Sequence, residues 1–273
     1  MSSRNIIYSE EPIFKSSSIK NGIEDSTECI AEETPIAMVY NGISHVVMMA
    51  TPGNLKDFAT GFSITENIVS SVEEIYSIEI NRMDVGIELD INISSESFNK
   101  LKNNRRNLTG RTGCGICGAE SLKQIIKLQK SLQASTLESI FSPESIAKGL
   151  AQLSKHQVIQ QQTGATHAAA LCNNDGKILL VREDVGRHNA LDKLIGAFYI
   201  NNSFNINDSF IIISSRASYE MIQKAAILKT SLVVAISAPT ALAVRLANQL
   251  GITLLGFARG KKYNIYTHKE RIK

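Results

Sequence analysis

The chain is short of cysteine, of net charge and of long apolar runs, and each shortage closes off a class of function. Only Cys29, Cys114, Cys117 and Cys172 occur among 273 residues, too few for a disulfide framework in a chain of this size. Reduced thiols are the expectation. The formal net charge is only +3, far from the basic balance of a nucleic-acid-binding surface; the basic residues gather only at 100–111 and 259–262. No apolar stretch approaches the roughly 20 residues that span a bilayer, and Met1-Ser2-Ser3-Arg4-Asn5 lacks the apolar core of a secretory signal. A cytoplasmic protein that binds neither membrane nor nucleic acid is expected. At 43% hydrophobic residues, the chain can bury a substantial core.

Residues 1–28 are polar, with the serine run Ser16-Ser17-Ser18, and predict a flexible arm. Two β-favouring runs, 34–40 and 43–50, flank Asn41-Gly42, the pair a type I′ turn requires, so a hairpin is predicted. Asn54 follows Thr51-Pro52-Gly53 as the cap of a helix carrying Leu55, Phe58, Ala59 and Phe62. Val85, Ile87, Leu89, Ile91 and Ile93 alternate with less apolar residues and mark a strand with one buried face. Residues 29–140 thus read as an α+β subdomain, in which 120–130 form an amphipathic helix after a cysteine-bearing loop.

Residues 141–273 read as an α/β subdomain. Ser142-Pro143-Glu144 starts a helix, 167–172 and 177–183 flank a turn as a second hairpin, and another helix begins near His188. Apolar runs at 210–214, 232–237 and 253–258 then alternate with helical patterns at 219–229 and 240–250. That is a βαβαβ unit whose right-handed crossovers make its strands parallel, so the fold class is α/β with a mixed α+β N-terminal part. The C-terminal strand ends share one rim, on which fall Ser214-Ser215-Arg216, Ser237-Ala238-Pro239-Thr240 and Phe257-Ala258-Arg259-Gly260. Small and hydroxyl residues at helix starts, with arginines nearby, suit a phosphate-bearing ligand; they equally suit ordinary strand-to-helix turns.

Chemistry concentrates at Gly113-Cys114-Gly115-Ile116-Cys117-Gly118, and the spacing alone leaves four readings. A structural zinc site needs two further ligands, and no second CxxC or HxxxH supplies them. A zinc-dependent nucleobase deaminase needs H-x-E ahead of P-C-x-x-C, whereas His167-Ala168-Ala169 lacks the glutamate and the cysteines lie upstream without their proline. A thioredoxin-like pair follows an early strand, but this one follows the basic segment 105–111. The fourth reading is a thiolate that accepts and passes on a sulfane sulfur. Its surroundings are apt: three glycines leave the thiols uncrowded, and Arg111 and the following helix start both favour the thiolate. Cys29 and Cys172 read as packing residues. Glu183-Asp184-Val185-Gly186-Arg187-His188 sets four ionisable side chains around a glycine, which suits a solvated helix start as well as a site. His167, in an apolar run, suits a satisfied core histidine or a site residue.

Residues Gly110-Arg111-Thr112-Gly113-Cys114-Gly115-Ile116-Cys117-Gly118 resemble the FdhD family of formate dehydrogenase accessory proteins. Tyr40-Asn41-Gly42-Ile43-Ser44-His45-Val46-Val47-Met48-Met49-Ala50, Thr166-His167-Ala168-Ala169-Ala170, Glu183 to His188, and Ser214-Ser215-Arg216-Ala217-Ser218-Tyr219-Glu220 carry the same resemblance. It implies a sulfurtransferase: a cysteine desulfurase loads sulfur onto Cys114 as a persulfide, with Cys117 as partner. The sulfur then passes to the bis-guanine-dinucleotide molybdenum cofactor (bis-molybdopterin guanine dinucleotide) before insertion into formate dehydrogenase. The resemblance places cofactor binding at Phe257, Ala258, Arg259, Gly260, Lys261 and Lys262, and promotes Asp184, Arg187 and His188 to site-lining residues, beside Arg111, His167, Ser214, Ser215, Arg216 and Ser237. It further implies a homodimer and a cytidine deaminase-like fold in the C-terminal half; no protein-bound zinc is expected, because H-x-E and P-C-x-x-C are absent and four convergent ligands cannot be named. The other class of function to weigh is a non-catalytic chaperone that only holds the cofactor, which needs no thiolate.

Overall fold

The structure, a computed structural model, describes residues 9–20, 23–106, 139–201 and 203–273. It opens on an antiparallel ribbon, β1 (Ile13–Lys20) and β2 (Ile23–Ala31). Polarity predicts a flexible arm here, and the described part of that arm is instead paired. Serine and threonine are tolerated in an extended ribbon whose backbone groups satisfy one another, and cross-strand pairs such as Phe14–Ile30 and Ser17–Thr27 fix its register.

The first hairpin forms with the bounds read from the sequence, β3 (Thr34–Tyr40) and β4 (Ile43–Ala50). Asn41 and Gly42 take φ of 46° and 78°, the left-handed values the turn demands. Helix α1 (Leu55–Thr65) follows, but Asn54 is itself left-handed, with φ 53°, and its side chain makes no cap bond. Strand β5 (Ile75–Met83) has no alternation to announce it, whereas β6 (Gly86–Ile93) buries Ile87, Leu89, Ile91 and Ile93 as the pattern predicts; Val85 stays outside, exposed. The sheet runs β4-β3-β6-β5, with β3 and β6 parallel. Its inner face packs Ile36, Met38, Tyr40, Leu89 and Ile91 on Phe58, Ala59 and Phe62 of α1, and α2 (Ser95–Arg106) closes this layer through Leu101. The helix expected at 120–130 lies outside the described residues.

In the second half Ser142 caps α3 (Pro143–His156), its hydroxyl accepting from the Ser145 amide. After α4 (Val158–Thr163) come β7 (His167–Asn173), β8 (Ile178–Asp184), α5 (Arg187–Ile200), β9 (Ser209–Ile213), α6 (Tyr219–Ile227), β10 (Leu232–Ala235), α7 (Ala241–Gln249), β11 (Thr253–Arg259) and β12 (Lys262–Ile265). Six strands form one sheet in the order β12-β11-β10-β9-β7-β8. The expected βαβαβ unit is present, β9, β10 and β11 being parallel, and antiparallel β7, β8 and β12 extend it into a mixed sheet. Residues of α5, α6 and α7 pack on one face, and α3 covers the other through Ile146, Leu150 and Leu153.

The halves meet where α1 crosses α5. A Cβ on Gly61 would stand 1.8 Å from the Asp192 carbonyl oxygen, and one on Gly196 would stand 1.9 Å from that of Asp57. Only glycine lets the two backbones approach this closely.

Candidate functional site

Strand direction assembles the rim. The C-terminal ends of β9, β10 and β11 lie on one edge of the sheet; β7 runs against β9, so its first residue, His167, falls on that same edge, and His167 pairs with Asp184 at the end of β8. The edge spans about 19 Å, four strand spacings. It brings together His167, Asp184, Arg187, His188, Ser214, Ser215, Arg216, Ser237 and the segment 257–260, which the sequence scatters over nearly a hundred positions. Arg111, Cys114 and Cys117 lie outside the described residues.

These residues do not share one environment. Asp184 is fully buried and committed to architecture: it accepts from the Thr51 and Gly186 amides at 3.0 and 2.8 Å and from Asn189 Nδ2 at 3.0 Å, and it pairs with Lys193 Nζ at 2.6 Å. Lys193 also donates to the Thr51 carbonyl at 2.8 Å, so one ion pair ties the start of α5 to the turn before α1. Burial pushes the Lys193 ammonium down, and the Asp184 carboxylate works against that shift. Glu183 is equally occupied, accepting from the Ile159 and Gln160 amides at the start of α4 and from the Thr166 hydroxyl.

Arg187, His188 and His167 are different. His188 Nε2 stands 2.6 Å from Glu220 Oε2 of α6. That contact, with the Arg187 charge adding to it, holds the Glu220 carboxyl below its ordinary value against the opposing pull of burial. Burial first, then the Arg187 charge, hold the half-buried His167 imidazole below its ordinary value, so near-neutral pH leaves it an uncharged donor or acceptor. His167 and Ser214 wall a polar cleft of about 440 Å³ with Gln157, Gln160 and Thr166. Ser214 fixes the strand ends around it, its hydroxyl accepting from the Ala168 amide at 2.9 Å while its own amide donates to the Ala168 carbonyl. Ser215 is buried, whereas Arg216 and Ser237 are exposed.

At the far end of the rim β11 bulges between Gly256 and Arg259 before turning into β12. The bulge puts Phe257 at φ 54°, a strained value for a bulky residue, leaves its ring 52% exposed and ties its amide to the Ser237 carbonyl at 3.1 Å. Ala258 is buried; Arg259, Gly260, Lys261 and Lys262 form the exposed hairpin turn that follows. The segment combines an outward aromatic face with three cations, the pairing that a base-bearing phosphate ligand needs.

Sequence reasoning missed Glu220, Lys193, Lys224 and Asp192. Lys224 of α6 reaches Asp192 of α5 at 3.0 Å and Glu66, just past α1, at 2.8 Å, and it donates to Thr65 Oγ1 at 2.9 Å. Burial disfavours the Lys224 charge, but the Asp192 and Glu66 carboxylates outweigh it and the ammonium is held above its ordinary range. Among the described residues, no helix is long and apolar enough to cross a membrane.

The comparisons with known proteins fall on this same architecture. The sequence profile of the FdhD/NarQ family matches residues 31–273. A sulfur carrier protein FdhD of Cupriavidus necator is 49% identical over 247 residues, 90% of this chain and 84% of that one. The sulfur carrier protein FdhD of Acinetobacter baylyi is 48% identical over 241 residues, 88% of this chain and 86% of that one. A crystal structure from Desulfotalea psychrophila, described as that of a formate dehydrogenase accessory protein, superposes with a TM-score of 0.71 over 96% of this chain and 98% of its own, at 23% identity; that likeness speaks for the fold. Spanning all but the first 30 residues, with the rim segments inside it, the match places this chain in the FdhD/NarQ family.

Proposed function

We propose that this protein is a sulfur carrier for formate dehydrogenase. In this reading the Cys114 thiolate attacks the sulfane sulfur of a persulfide on a cysteine desulfurase: the new S–S bond forms on Cys114, the donor's S–S bond breaks, and the donor leaves as its thiolate. The sulfur then passes to the bis-guanine-dinucleotide molybdenum cofactor, a substrate here, before that cofactor enters the dehydrogenase. Cys117 assists or resolves. The observation that carries this proposal is membership of a family whose near relatives are named sulfur carrier proteins, in a chain whose CxxC stands in a glycine-rich loop. The rim supports the second half of the reading, with cations at 259–262 and an outward Phe257 offered to a nucleotide diphosphate. The proposal includes a cytoplasmic homodimer without protein-bound zinc, and a C-terminal half akin to the cytidine deaminases without their zinc signature. It also keeps the division at residue 140, with the cysteine loop in one part and the cofactor rim in the other.

The test is Cys114→Ser. It abolishes maturation of the client dehydrogenase while the protein stays folded, Cys172→Ser leaves maturation intact, and intact-mass measurement after incubation with a desulfurase and cysteine finds the wild type heavier by one sulfur. Normal dehydrogenase activity with Cys114→Ser would turn the reading toward a chaperone that only holds the cofactor. One zinc per chain, lost on mutating Cys117, would replace sulfur carriage with a metal site.

A further inference from the structure

Side chains alternate across a strand, so a sheet that packs one face on helices turns every second residue outward. In the four-stranded sheet of the first half that outer face has two unlike sides. Ile36, Met38 and Tyr40 of β3 and Ile87, Leu89 and Ile91 of β6 enter the core, which leaves Pro35, Ala37 and Val39 and, on β6, Glu88 and Asp90 on the opposite face. Register supplies the neighbours: Met49 and Val47 of β4 stand opposite Pro35 and Ala37, while Met83, Asn81 and Glu79 of β5 stand opposite Gly86, Glu88 and Asp90. The β4 side is apolar, with Val47 56% and Met49 45% exposed. The side made by β6 and β5 is acidic.

The acidic side is short of positive charge. Glu79 and Asp90 are directly opposite, a like-charge cross-strand pair that works against the sheet, and Glu88 lies two residues from Asp90 on the same face. Among the described residues Glu88 accepts from Asn81 Nδ2 at 3.4 Å and forms no ion pair, and Asp90 Oδ1 is buried with no hydrogen-bond partner. No outward position of these strands is a lysine or arginine; Arg82 stands opposite the inward Ile87 and pairs with Glu10. Among the described residues no group of three His, Cys, Asp or Glu side chains is placed to hold a metal ion, so cations spread over the face, rather than one ion, are its complement.

We propose that this face docks another protein through a basic, amphipathic segment. Apolar side chains of the partner cover Val47 and Met49, and its lysines or arginines meet Glu79, Glu88 and Asp90, about 10 Å away across two strand spacings. Charge complementarity selects the occupant. A second copy meeting it face to face brings no cation, and a nucleic acid or an anionic membrane brings further negative charge. The exposed apolar strip gives the contact surface to bury. The inference is independent of the sulfur and cofactor readings, since it uses neither the cysteine loop nor the rim.

The probe is a short synthetic peptide in which lysine and valine alternate, titrated into the full chain with backbone amide shifts as the readout; a peptide with glutamate in place of lysine is the control. The lysine peptide shifts amides of β3, β4 and β6 and binds more weakly as salt rises, and the glutamate peptide leaves them unmoved. Glu79→Gln combined with Glu88→Gln weakens the lysine peptide roughly threefold to tenfold, the share of two partly exposed ion pairs. The melting temperature of that variant holds or rises, because a like-charge pair is gone. A purely structural role for the carboxylates predicts the reverse, a lower melting temperature with unchanged affinity, and that result would overturn the proposal. So would equal binding of the two peptides, or a lysine peptide that leaves these strands untouched. Calcium ions that alone produce the same shifts would assign the carboxylates to an ion. A wild type whose self-association in sedimentation is lost in Val47→Glu would assign the face to a second copy; either outcome removes the proposed partner.

Discussion

Two polar clusters lie against the same helix α5 and differ in whether their valences are filled. At the α1–α5 crossing, Asp184, Lys193, Thr51, Asn189, Asp192, Lys224 and Thr65 exchange hydrogen bonds and ion pairs, and among these residues no buried side-chain atom goes unpaired. At the rim, Arg187 Nε, Ser218 Oγ and Tyr219 OH have no hydrogen-bond partner. Both clusters draw on the signature segments 183–188 and 214–220 and on residues just beyond them, and the filled one adds Thr51 and Thr65 from the first half. A filled set stabilises the join between the halves; an unfilled one is a demand that a ligand can meet. Neighbouring positions in one motif, Asp184 and Arg187, therefore differ in whether their polar atoms are already spent.

The contrast can be broken most forcefully on its filled side. Lys193→Met leaves the Asp184 carboxylate buried without its cation, and a loss of about 3–5 kcal/mol is expected, read from chemical denaturation. A loss near zero would mean that the pair is not what joins the halves. Next in size is Gly61→Ala: its Cβ would meet the Asp192 carbonyl, so α1 must move off α5, at about 1–3 kcal/mol. Arg182→Ala removes the partly exposed contact with Asp57 at 2.7 Å, and about 1 kcal/mol or less is expected. The smallest effect belongs to the rim. Glu220 has its folded-state value depressed, so its contribution to stability is complete above the ordinary glutamate value near 4.5 and is lost as pH falls through the depressed one. Glu220→Gln should therefore lower the melting temperature slightly at pH 7 and flatten the acid limb, the difference from wild type vanishing as pH falls below the depressed value.

Much of the fold is legible in the sequence where the signal is local. Asn41-Gly42 sets a turn with both residues left-handed, Ser142-Pro143 starts α3, and alternation from Ile87 to Ile93 marks β6. Where the cause is not local, the reading stops short. Strand β5 exposes Tyr76, Glu79, Ile80 and Met83 and is held by pairing with β6, so no period of two announces it. The ribbon of β1 and β2 is likewise a matter of partnership. In the site, the rim positions follow from strand order once the strands are found. That Asp184 is buried does not follow, since its acceptors are filled by Thr51 and Lys193, one of them more than a hundred residues away. Lys193 and Lys224 look like solvated helix positions; only their pairing with distant carboxylates makes burial tolerable. Glu220 is visible as part of a motif, but its service to His188 is visible only once α5 and α6 stand side by side.

The inverted direction of β7 gives the large sheet one margin that carries the proposed ligand groups and one that does not. Because β7 begins and β8 ends where β9, β10 and β11 finish, the connections that lead back to the start of the parallel strands gather on the opposite margin. The link between α5 and β9 is one of these, and Ser203 and Asn207 on it are exposed. A fluorophore attached at position 203 would sit a full strand length from the rim, so the molecule carries its own attachment point for testing ligand binding without touching the groups proposed to bind.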